Sequence, residues 1–371
     1  MRVFLLFTNT EWDEPPRIRH QIARLLSLQG HRVIFFEKPR WIGVDFLRMF
    51  RGADREVEER ILICKLSFLI HHQLLVCPLL EWINSWFVRF LCRNKLKKLK
   101  SEIGDECCWV NFNYFYTWLG SLKPSKDRLM FFVNDDFEKL ARSRFVDVSG
   151  SLRICTRDSD VVMAVSPYLC ERLANTSGKN ARLFLPWAPD SYIGPQSGVI
   201  CSRKVALFYG YINERLDFVA IENALRWFEA QKSRIQLRFV GPLSASVAKR
   251  IRRLSMSPNF EYAGVIAFNE LDLADCFCAL NTYEPSSPGV SACYISNKSF
   301  QLLARGLPLV VSALPNFVSD SFVFRYEQSE SGLQAAILKC HRYFYEVQPD
   351  IERFVNRNQA HQRYKELMSF L

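Results

Sequence analysis

Short apolar runs alternate with amphipathic segments along the first half of the chain. Arg2 to Phe7 is mostly apolar, Arg17 to Leu28 has helical spacing that ends at Gly30, and a second apolar run covers Arg32 to Phe36. This order predicts a right-handed βαβ unit, the start of a parallel sheet. Four further runs predict strands: Trp109 to Asn113, Leu129 to Val133, Val161 to Ser166 and Arg182 to Leu185. We therefore predict a Rossmann-like domain, but without Gly-x-Gly-x-x-Gly after its first strand nothing indicates that it binds a dinucleotide.

The same alternation begins again after a segment rich in Pro, Ser and Gly. That segment lies between Pro186 and Arg203 and predicts a linker. The strands predicted after it are Lys204 to Ile212, Ile235 to Val240, Asn259 to Ala263, Cys276 to Asn281 and Leu309 to Ser312. The helices predicted between them are Asp217 to Gln231, Ala245 to Leu254, Asn269 to Ala274 and Ile295 to Arg305. This predicts a second Rossmann-like domain.

The two domains together predict an α/β architecture with two parallel sheets that face each other across a cleft. We expect the first domain over residues 1–188, the linker over 189–203 and the second domain over 204–345. A C-terminal helix over 346–371 is expected to pack back towards the first domain. The length of 371 residues agrees with two domains, because one hydrophobic core rarely organises more than about 300 residues. Ligands of such proteins bind at the carboxyl ends of the strands.

The chain carries a positive net charge. With 49 Lys and Arg against 38 Asp and Glu, the formal net charge is +11, which favours nucleotides, nucleic acid or an acidic membrane surface as partners. Hydrophobic residues make up 49% and charged residues 23%, which excludes a disordered chain. The basic residues occur in both halves, and the sequence has no helix-turn-helix or zinc-finger signature. We therefore expect no nucleic-acid partner.

Twelve cysteines and six histidines are scattered along the sequence. The sequence contains no Cys-x-x-Cys pair, and the histidines do not supply the ligand pairs that a zinc site needs. We therefore expect free thiols in a reducing cytosol. The first apolar run is too short for a signal peptide. These features predict a cytoplasmic protein without a metal site.

An apolar and aromatic stretch precedes a basic one in the first half. Ile61 to Leu80 comes nearest to a membrane span, but Lys65, His71, His72, Gln73 and Pro78 interrupt it. The next stretch places these apolar residues at helical spacing: Leu79, Ile83, Trp86, Phe87 and Phe90. It continues into Arg89, Arg93, Lys95, Lys97, Lys98 and Lys100. The segment 79–100 is either a helix that binds an anionic membrane surface or a core helix with a solvated basic end.

A helix is predicted to begin near Ser296, which is a good capping residue. The free N–H groups and the positive dipole end of such a helix can bind a phosphate, and Lys298 in the first turn adds a full charge. The alternative is an ordinary capped amphipathic helix that packs on a sheet. The periodicity alone leaves both interpretations open.

Lys298 also belongs to a longer pattern. Lys298, Gln301 and Ala304 are followed by Gly306-Leu307-Pro308-Leu309-Val310-Val311. This stretch resembles the nucleotide-sugar-binding helix of GT-B glycosyltransferases, especially the retaining group 1 (family four-like) enzymes that build bacterial surface polysaccharides. Those enzymes usually carry a second acid where this chain has Gln301 and a first acid near the position of Cys293. The resemblance therefore leaves retention or inversion of the sugar open.

Three further stretches resemble this group in the same order along the chain. The stretch from Phe208 to Asp217, followed by Leu237 to Pro242, is similar to the first two strands of the nucleotide domain, with a Gly turn at Gly210 and a basic residue at Arg215. Asp160 to Leu169 is similar to a strand and Ser-led turn late in the acceptor domain. The opening unit resembles a membrane-associated bacterial subgroup at Trp12, Pro16, Arg19, His20, Gln21, Ile22, Ala23, Leu26, Gly30, His31 and Val33.

The resemblance implies a donor site in the second domain. Its expected members are Gly210, Arg215, Glu284, Ser296, Asn297, Lys298 and Gln301. Lys298 and Arg215 would neutralise the diphosphate of a nucleotide sugar, since GT-B enzymes do this without a metal. Glu284 would border the donor sugar, although its loop, Glu284 to Gly289, is equally an ordinary turn.

An inverting transfer also needs a general base for the acceptor hydroxyl. Asp135 and Asp136 follow the predicted strand Leu129 to Val133, and we expect one of them to cap the next helix and the other to face the acceptor. Glu11 and His20 are further candidates on the acceptor side.

The resemblance implies a glycosyltransferase that moves a sugar from a nucleotide-diphosphate donor to a lipid-linked saccharide, at the inner face of a bacterial cell membrane. Two alternatives remain open. One is a nucleotide-sugar epimerase of the same fold, and the other is a catalytically degenerate nucleotide-sugar-binding subunit. We expect no cofactor for the transfer.

Overall fold

The computed structural model describes residues 1–14, 17–41, 54–68, 77–99, 106–140, 146–188 and 203–371. The chain forms two compact units. The first comprises Met1–Phe184 and Tyr364–Leu371, and the second comprises Leu185–Arg363. Residues 189–202 of the expected linker lie outside the described residues, as does Lys100.

The first unit contains ten strands in its described residues. They are β1 Val3–Phe7, β2 Arg32–Phe36, β3 Arg40–Trp41, β4 Arg55–Glu58, β5 Ile61–Cys64, β6 Ser67–Phe68, β7 Cys107–Asn111, β8 Arg128–Val133, β9 Val161–Ala164 and β10 Arg182–Leu183. The main sheet has the order β10-β9-β8-β7-β1-β2-β5-β4, and β3 pairs with β6. All pairs are parallel except β4 with β5. Every residue of β1 and β7 is buried, as expected for central strands that helices cover on both faces.

The helices of the first unit flank this sheet. They are α1 Ile18–Leu28, α2 Pro78–Lys98, α3 Leu119–Leu122, α4 Phe137–Leu140, α5 Val148–Asp158 and α6 Pro167–Ser177. The helix α2 covers most of the predicted segment 79–100, including most of its basic end. The helix after Asp136 was predicted over Phe137 to Arg144, and its residues 141–144 lie outside the described residues.

The second unit is a six-stranded parallel sheet. Its strands are β11 Val205–Tyr209, β12 Gln236–Val240, β13 Phe260–Tyr262, β14 Cys276–Asn281, β15 Leu309–Ser312 and β16 Val323–Tyr326, in the order β13-β12-β11-β14-β15-β16. Its helices are α7 Phe218–Ala230, α8 Ala248–Leu254, α9 Asn297–Ala304, α10 Gly332–Arg342 and α11 Gln348–Arg357. A three-residue 3₁₀ turn, Phe268–Glu270, replaces the helix predicted near 269–274.

The C-terminal segment forms two helices where one was expected. After α11 the chain turns at Asn358, whose backbone is no longer helical, and α12 then covers Ala360–Ser369. The last eight residues belong to the first unit. There Tyr364 OH lies 2.8 Å from His31 Nε2, and the ring of Phe370 lies 6.3 Å from that of Phe184.

Each sheet has one point at which the direction of strand addition reverses. In the second unit the chain goes from β11 to β12 and β13 on one side and then crosses to β14 on the other. In the first unit the same reversal separates β1 from β7. Loops diverge from such a point and leave a crevice at the carboxyl ends of the two strands, where α/β proteins bind ligands. The fold therefore indicates one candidate site in each unit.

Candidate functional site

The start of α9 is attached to the carboxyl end of β14. Ser296 Oγ accepts a hydrogen bond from the Ser299 N–H at 3.2 Å, which caps the helix as predicted from the sequence. The buried Ser299 hydroxyl in turn donates to Asn281 Oδ1, the last residue of β14, at 3.4 Å. These contacts fix the first turn of α9, and Lys298 with it, at the edge of the sheet.

The ammonium group of Lys298 lies at the reversal point between β11 and β14. It is 4.8 Å from the ring centroid of Phe208 on β11 and 5.0 Å from that of Tyr283, two residues beyond β14. It also donates a hydrogen bond to the Tyr283 hydroxyl. None of the described carboxylates forms an ion pair with it. Aromatic faces attract a cation without neutralising its charge, so this ammonium remains able to bind an anion.

Two glycines let the backbone approach this ammonium. A Cβ atom on Gly210 would lie 2.7 Å from Lys298 Nζ, and one on Gly241 would lie 2.0 Å from the Gly210 carbonyl oxygen. Both residues have positive φ, +142° and +137°. Both positions therefore require a residue that has no Cβ atom and that adopts a positive φ without strain, which is glycine.

The loop between β11 and α7 carries Arg215, the second predicted cation. Its backbone is fixed, because its N–H donates to Asn213 Oδ1 at 3.1 Å and its carbonyl accepts the Glu284 N–H at 2.8 Å. Its half-buried guanidinium makes no ion pair or side-chain hydrogen bond within the described part of the chain. Glu284 Oε1 instead accepts hydrogen bonds from Gln328 at 2.8 Å and from Ser286 Oγ at 3.0 Å. A backbone hydrogen bond therefore holds the Glu284 loop next to Arg215.

Two side-chain amides on α9 have no hydrogen-bond partner among the residues that the structure describes. They belong to Asn297 and Gln301, and both residues are half-buried. Gln301 follows Lys298 by one helical turn, so the two side chains lie on the same face of α9. An amide can donate to and accept from a hydroxyl-rich ligand.

Asp217 is a buried carboxylate next to this site, but it is occupied by structural contacts. It caps α7 by accepting the Ala220 N–H at 3.0 Å, and Tyr326 OH donates to its other oxygen at 3.3 Å. Burial raises the pKa of Asp217, and the neighbouring charge of Glu284 raises it further. Its role is to hold the loop that presents Arg215.

The two consecutive acids of the first unit have different surroundings. Asp136 is buried, caps α4 by accepting the Lys139 N–H at 3.2 Å, and accepts a 2.7 Å hydrogen bond from Arg172 Nη1. Asp135 is exposed, and one of its carboxylate oxygens accepts a hydrogen bond from Asn134 Nδ2 at 2.6 Å. It also lies within electrostatic reach of Arg19. Of the pair, Asp135 is the acid that a ligand can reach.

The two further candidates on the acceptor side, Glu11 and His20, contact each other. His20 Nε2 lies 3.1 Å from the Glu11 carbonyl oxygen, while its Nδ1 accepts the Arg17 N–H at 3.0 Å. The ring is buried and stacks on Phe35 with centroids 5.5 Å apart. Burial lowers the pKa of His20 to about 4. Both ring nitrogens are therefore used within the fold, and the Glu11 side chain is exposed.

We predict that His20 makes the protein sensitive to mild acid. Its pKa is about 4 when folded and about 6.5 when unfolded, so the unfolded chain takes up a proton first as the pH falls. The free energy of unfolding should fall by about 2 to 3 kcal/mol between pH 6.5 and pH 4 from this group. Denaturant titrations of His20→Gln should give a flatter pH profile over that window. The exposed His361→Gln serves as the control and should keep the wild-type profile.

Within the described residues, no group of three or more His, Cys, Asp or Glu side chains could hold a metal ion. The expectation that transfer needs no metal stays a prediction.

Sequence reasoning did not assign a role to Tyr283 or to the ring of Phe208. Phe208 was one residue of a predicted strand, and Tyr283 lies between a strand and a Pro-containing loop. The sequence shows only that an aromatic residue lies near the carboxyl end of each of these two predicted strands. That the two rings lie close together follows from the pairing of β11 with β14, which the sequence pattern does not give.

Comparison with protein-family models finds no match, and no curated protein sequence matches. Solved structures do match over the whole chain. A UDP-forming trehalose-phosphate synthase from Burkholderia xenovorans, in complex with glucose-6-phosphate, has a TM-score of 0.70 at 10% identity, covering 99% of each chain. An Escherichia coli protein described as trehalose-6-phosphate bound with UDP-2-fluoro glucose has a TM-score of 0.66 at 11% identity, covering 100% of this chain and 99% of the other.

Anabaena Alr3699/HepE, in complex with UDP and glucose, has a TM-score of 0.60 at 13% identity, and each chain is covered completely. A glycosyltransferase from Rickettsia africae has a TM-score of 0.62 at 12% identity, covering 100% of this chain and 97% of the other. Similarity at this level of identity shows the fold alone. The chain has the α/β fold of GT-B glycosyltransferases, with two parallel-sheet domains, which confirms the predicted fold class.

Proposed function

We propose that this protein is a glycosyltransferase whose donor is a nucleoside diphosphate sugar bound in the second unit. The observation that carries this proposal is the Lys298 ammonium, which lies at the strand-order reversal and is held by two aromatic rings without a carboxylate partner among the described residues. The similar structures from Escherichia coli and Anabaena contain UDP-2-fluoro glucose and UDP with glucose. These ligands support a nucleoside diphosphate sugar as the donor class.

The chemistry of transfer matches the charges of this site. Cleavage of the bond between the sugar and the diphosphate leaves extra negative charge on the leaving group, and fixed positive groups stabilise it. Lys298 supplies one charge, Arg215 supplies the second, and the free N–H groups at the start of α9 add a third interaction. This set requires no metal ion for charge stabilisation. Asn297 and Gln301 would bind hydroxyl groups of the ribose or the sugar, and Glu284 would border the sugar.

Asp135 is the proposed general base that accepts the proton of the acceptor hydroxyl. It is exposed at the carboxyl end of β8, whereas the Asp136 carboxylate is already bound to Arg172 and to the start of α4. A general base must contact the hydroxyl group of the bound acceptor, so the exposed acid is the better candidate. We assign Asp136 to positioning of this loop.

A mass-spectrometric screen against a panel of nucleotide sugars tests this function. The purified chain is incubated with each donor, with and without EDTA, and with membrane extract as the source of acceptor. Transfer predicts release of the nucleoside diphosphate and an acceptor heavier by one sugar residue, with EDTA having no effect. An epimerase would produce an isomer of unchanged mass, and a degenerate subunit would bind the donor without turnover. Either of those outcomes would replace the proposed function.

We further propose that the acceptor is a lipid-linked saccharide of bacterial surface polysaccharide synthesis, met at the inner face of the cell membrane. The support comes from α2, whose exposed side is apolar. Leu79, Trp82, Trp86 and Phe90 are 63%, 66%, 60% and 51% exposed. The rings of Trp86 and Phe90 stack on each other at 6.0 Å, and Phe87 is half-buried. No helix in the described residues is long and apolar enough to cross a membrane.

Basic residues accompany this apolar surface. Arg93, Lys97 and Lys98 on α2 are exposed and form no ion pair with another described residue, whereas Lys95 pairs with Asp54. Val88 and Cys92 on the opposite side pack into the core of the first unit. The helix therefore has a buried side that stabilises the fold and an aromatic, basic side suited to an anionic lipid surface.

Vesicle sedimentation should separate the two contributions to membrane binding. Changing Arg93, Lys97 and Lys98 together to Gln should weaken binding to vesicles with 30% phosphatidylglycerol by roughly 100-fold at low salt, since each charge contributes about 1 kcal/mol. Changing Trp82 and Trp86 to Ala should weaken binding at any salt concentration. Tyr345→Ala, also exposed, is the control. Equal binding of the wild type to neutral and anionic vesicles would contradict the membrane proposal.

A further inference from the structure

Arg19 is a buried cation whose side chain has no hydrogen-bond partner among the described residues. It is the second residue of α1, its side chain is buried, and its Nε has no partner. Burial is the largest influence on its pKa and lowers it to about 10. Taking a guanidinium out of water without pairing it costs several kcal/mol, so chains rarely keep one without a reason.

Arg19 lies at the strand-order reversal of the first unit. The loop from β1 to α1 brings it to the carboxyl edge of the sheet, within electrostatic reach of Tyr116 beyond β7 and of Asp135 beyond β8. The Tyr116 hydroxyl donates to the Thr8 carbonyl at 2.8 Å, which ties the end of β1 to the segment after β7. Arg19 therefore occupies in the first unit the kind of position that Lys298 occupies in the second.

Two more buried polar atoms, just beyond the ends of β1 and β7, also have no hydrogen-bond partner among the described residues. Thr10 Oγ1 lies three residues beyond the end of β1, and Asn113 Oδ1 lies two residues beyond the end of β7. Thr10 is fully buried and Asn113 is 6% exposed. Because Phe7 of β1 pairs with Asn111 of β7, both side chains belong to the same edge of the sheet.

Three comparable side chains elsewhere in the first unit do have partners. The Asp136 carboxylate binds Arg172, and both ring nitrogens of His20, the residue next to Arg19, have backbone partners. The Asp127 carboxylate accepts from the indole of Trp109 at 2.8 Å. Other buried polar atoms of the first unit also have no partner among the described residues, for example Asn134 Oδ1 and Thr156 Oγ1. The set at the β1 and β7 ends differs from them because it combines a cation, a hydroxyl and an amide oxygen at the strand-order reversal.

We propose that Arg19, Thr10 and Asn113 bind a phosphate group of the acceptor together with a neighbouring sugar hydroxyl. A guanidinium binds a phosphate through two parallel N–H donors, and the Thr10 hydroxyl can donate a third hydrogen bond. Asn113 Oδ1 is an acceptor and therefore requires a donor, which a sugar hydroxyl supplies. The first-turn N–H groups of α1, an eleven-residue helix with no acid in its first turn, add to the attraction.

This inference rests on the proposed function, and it narrows the acceptor to phosphorylated saccharides. The phosphate has two possible sources. It belongs either to a water-soluble sugar phosphate or to the phosphate that joins a saccharide to a lipid. The chemistry at Arg19 is the same for both, so the probes must differ in the group attached to the phosphate.

Calorimetry on the full chain tests the proposal with three probes: glucose 6-phosphate, farnesyl phosphate and uncharged glucose. At least one phosphorylated probe should bind more tightly than glucose, and Arg19→Gln should raise its dissociation constant at least tenfold. Thr10→Val should raise it about threefold to tenfold. Tight binding of glucose 6-phosphate identifies a soluble acceptor, and preference for farnesyl phosphate identifies a lipid-linked one.

Two controls separate this site from the donor site. Lys298→Met should leave binding of the phosphorylated probe unchanged, and so should Arg24→Gln, which removes another α1 arginine whose Nε pairs with Glu58 at 2.9 Å.

Failure of the donor proposal can be distinguished from failure of this one. If the donor proposal fails, nucleotides will not bind, but the phosphorylated probe can still bind at Arg19. Because Arg19 lacks a partner, Arg19→Gln without ligand should melt at or above the wild-type temperature. Unchanged probe binding in Arg19→Gln and Thr10→Val, or no preference for phosphorylated probes over glucose, would overturn the proposal.

Discussion

The Asp135→Asn variant is expected to lose between 10² and 10⁴ in turnover number while its affinity for the nucleotide donor stays unchanged. A positioned general base contributes a rate factor of about this size. Asp135 is exposed and its carboxylate is bound by Asn134 Nδ2, so a neutral amide can replace it without breaking a buried ion pair. Initial rates with saturating donor, together with calorimetric donor titration, measure the two quantities separately.

The neighbouring Asp136→Asn variant is the matched control, with a different expected effect. It should lower the free energy of unfolding by about 2 kcal/mol, because the buried carboxylate accepts a charge-assisted hydrogen bond from Arg172 Nη1. Any activity loss should follow the loss of folded protein. Full specific activity of Asp135→Asn would show that the base lies elsewhere or that the mechanism uses none.

Most strands could be predicted because parallel sheets bury both faces of their strands. β1, β2, β11, β14 and β15 are continuous apolar runs, and their predicted bounds agree with the structure to within a few residues. The pair β4 and β5 could not be predicted from the same signal. Arg55–Glu58 is an edge strand with mostly charged side chains, and Ile61–Cys64 was merged into an apolar stretch that was considered only as a membrane span.

The site was predictable only where its signal is local. Ser296 and Lys298 were identified because capping residues and first-turn charges lie next to each other in sequence. The contact of Lys298 with Phe208 depends on residues 90 positions apart and on the strand order β11-β14. Likewise, no sequence pattern could indicate that Arg19 lacks a partner while His20 beside it has two. Residues that act together can be recognised in a sequence when they are close along the chain. Whether a side chain has a hydrogen-bond partner can be seen only in the folded structure.

Lys298→Met is expected to raise the dissociation constant for the donor's nucleoside diphosphate at least tenfold. One charge-assisted contact to a phosphate contributes about 1.5 to 3 kcal/mol, which corresponds to roughly 10-fold to 150-fold in affinity. Methionine keeps the unbranched apolar chain that packs near Phe208 and Tyr283, so the fold should tolerate it. Arg215→Gln should have an effect of similar size, because the Arg215 guanidinium, like the Lys298 ammonium, forms no ion pair with a described carboxylate.

The most direct test of the donor site is a calorimetric titration of UDP and GDP into the wild type, Lys298→Met and Lys249→Met. Lys249 is the matched control, because it is also the second residue of a helix in the second unit and is exposed. The proposed site predicts that the wild type and Lys249→Met bind one of the two nucleotides equally well and that Lys298→Met binds it at least tenfold more weakly. Equal affinity in all three proteins, or no binding of either nucleotide to the wild type, would contradict the assignment of this site to a nucleotide-sugar donor.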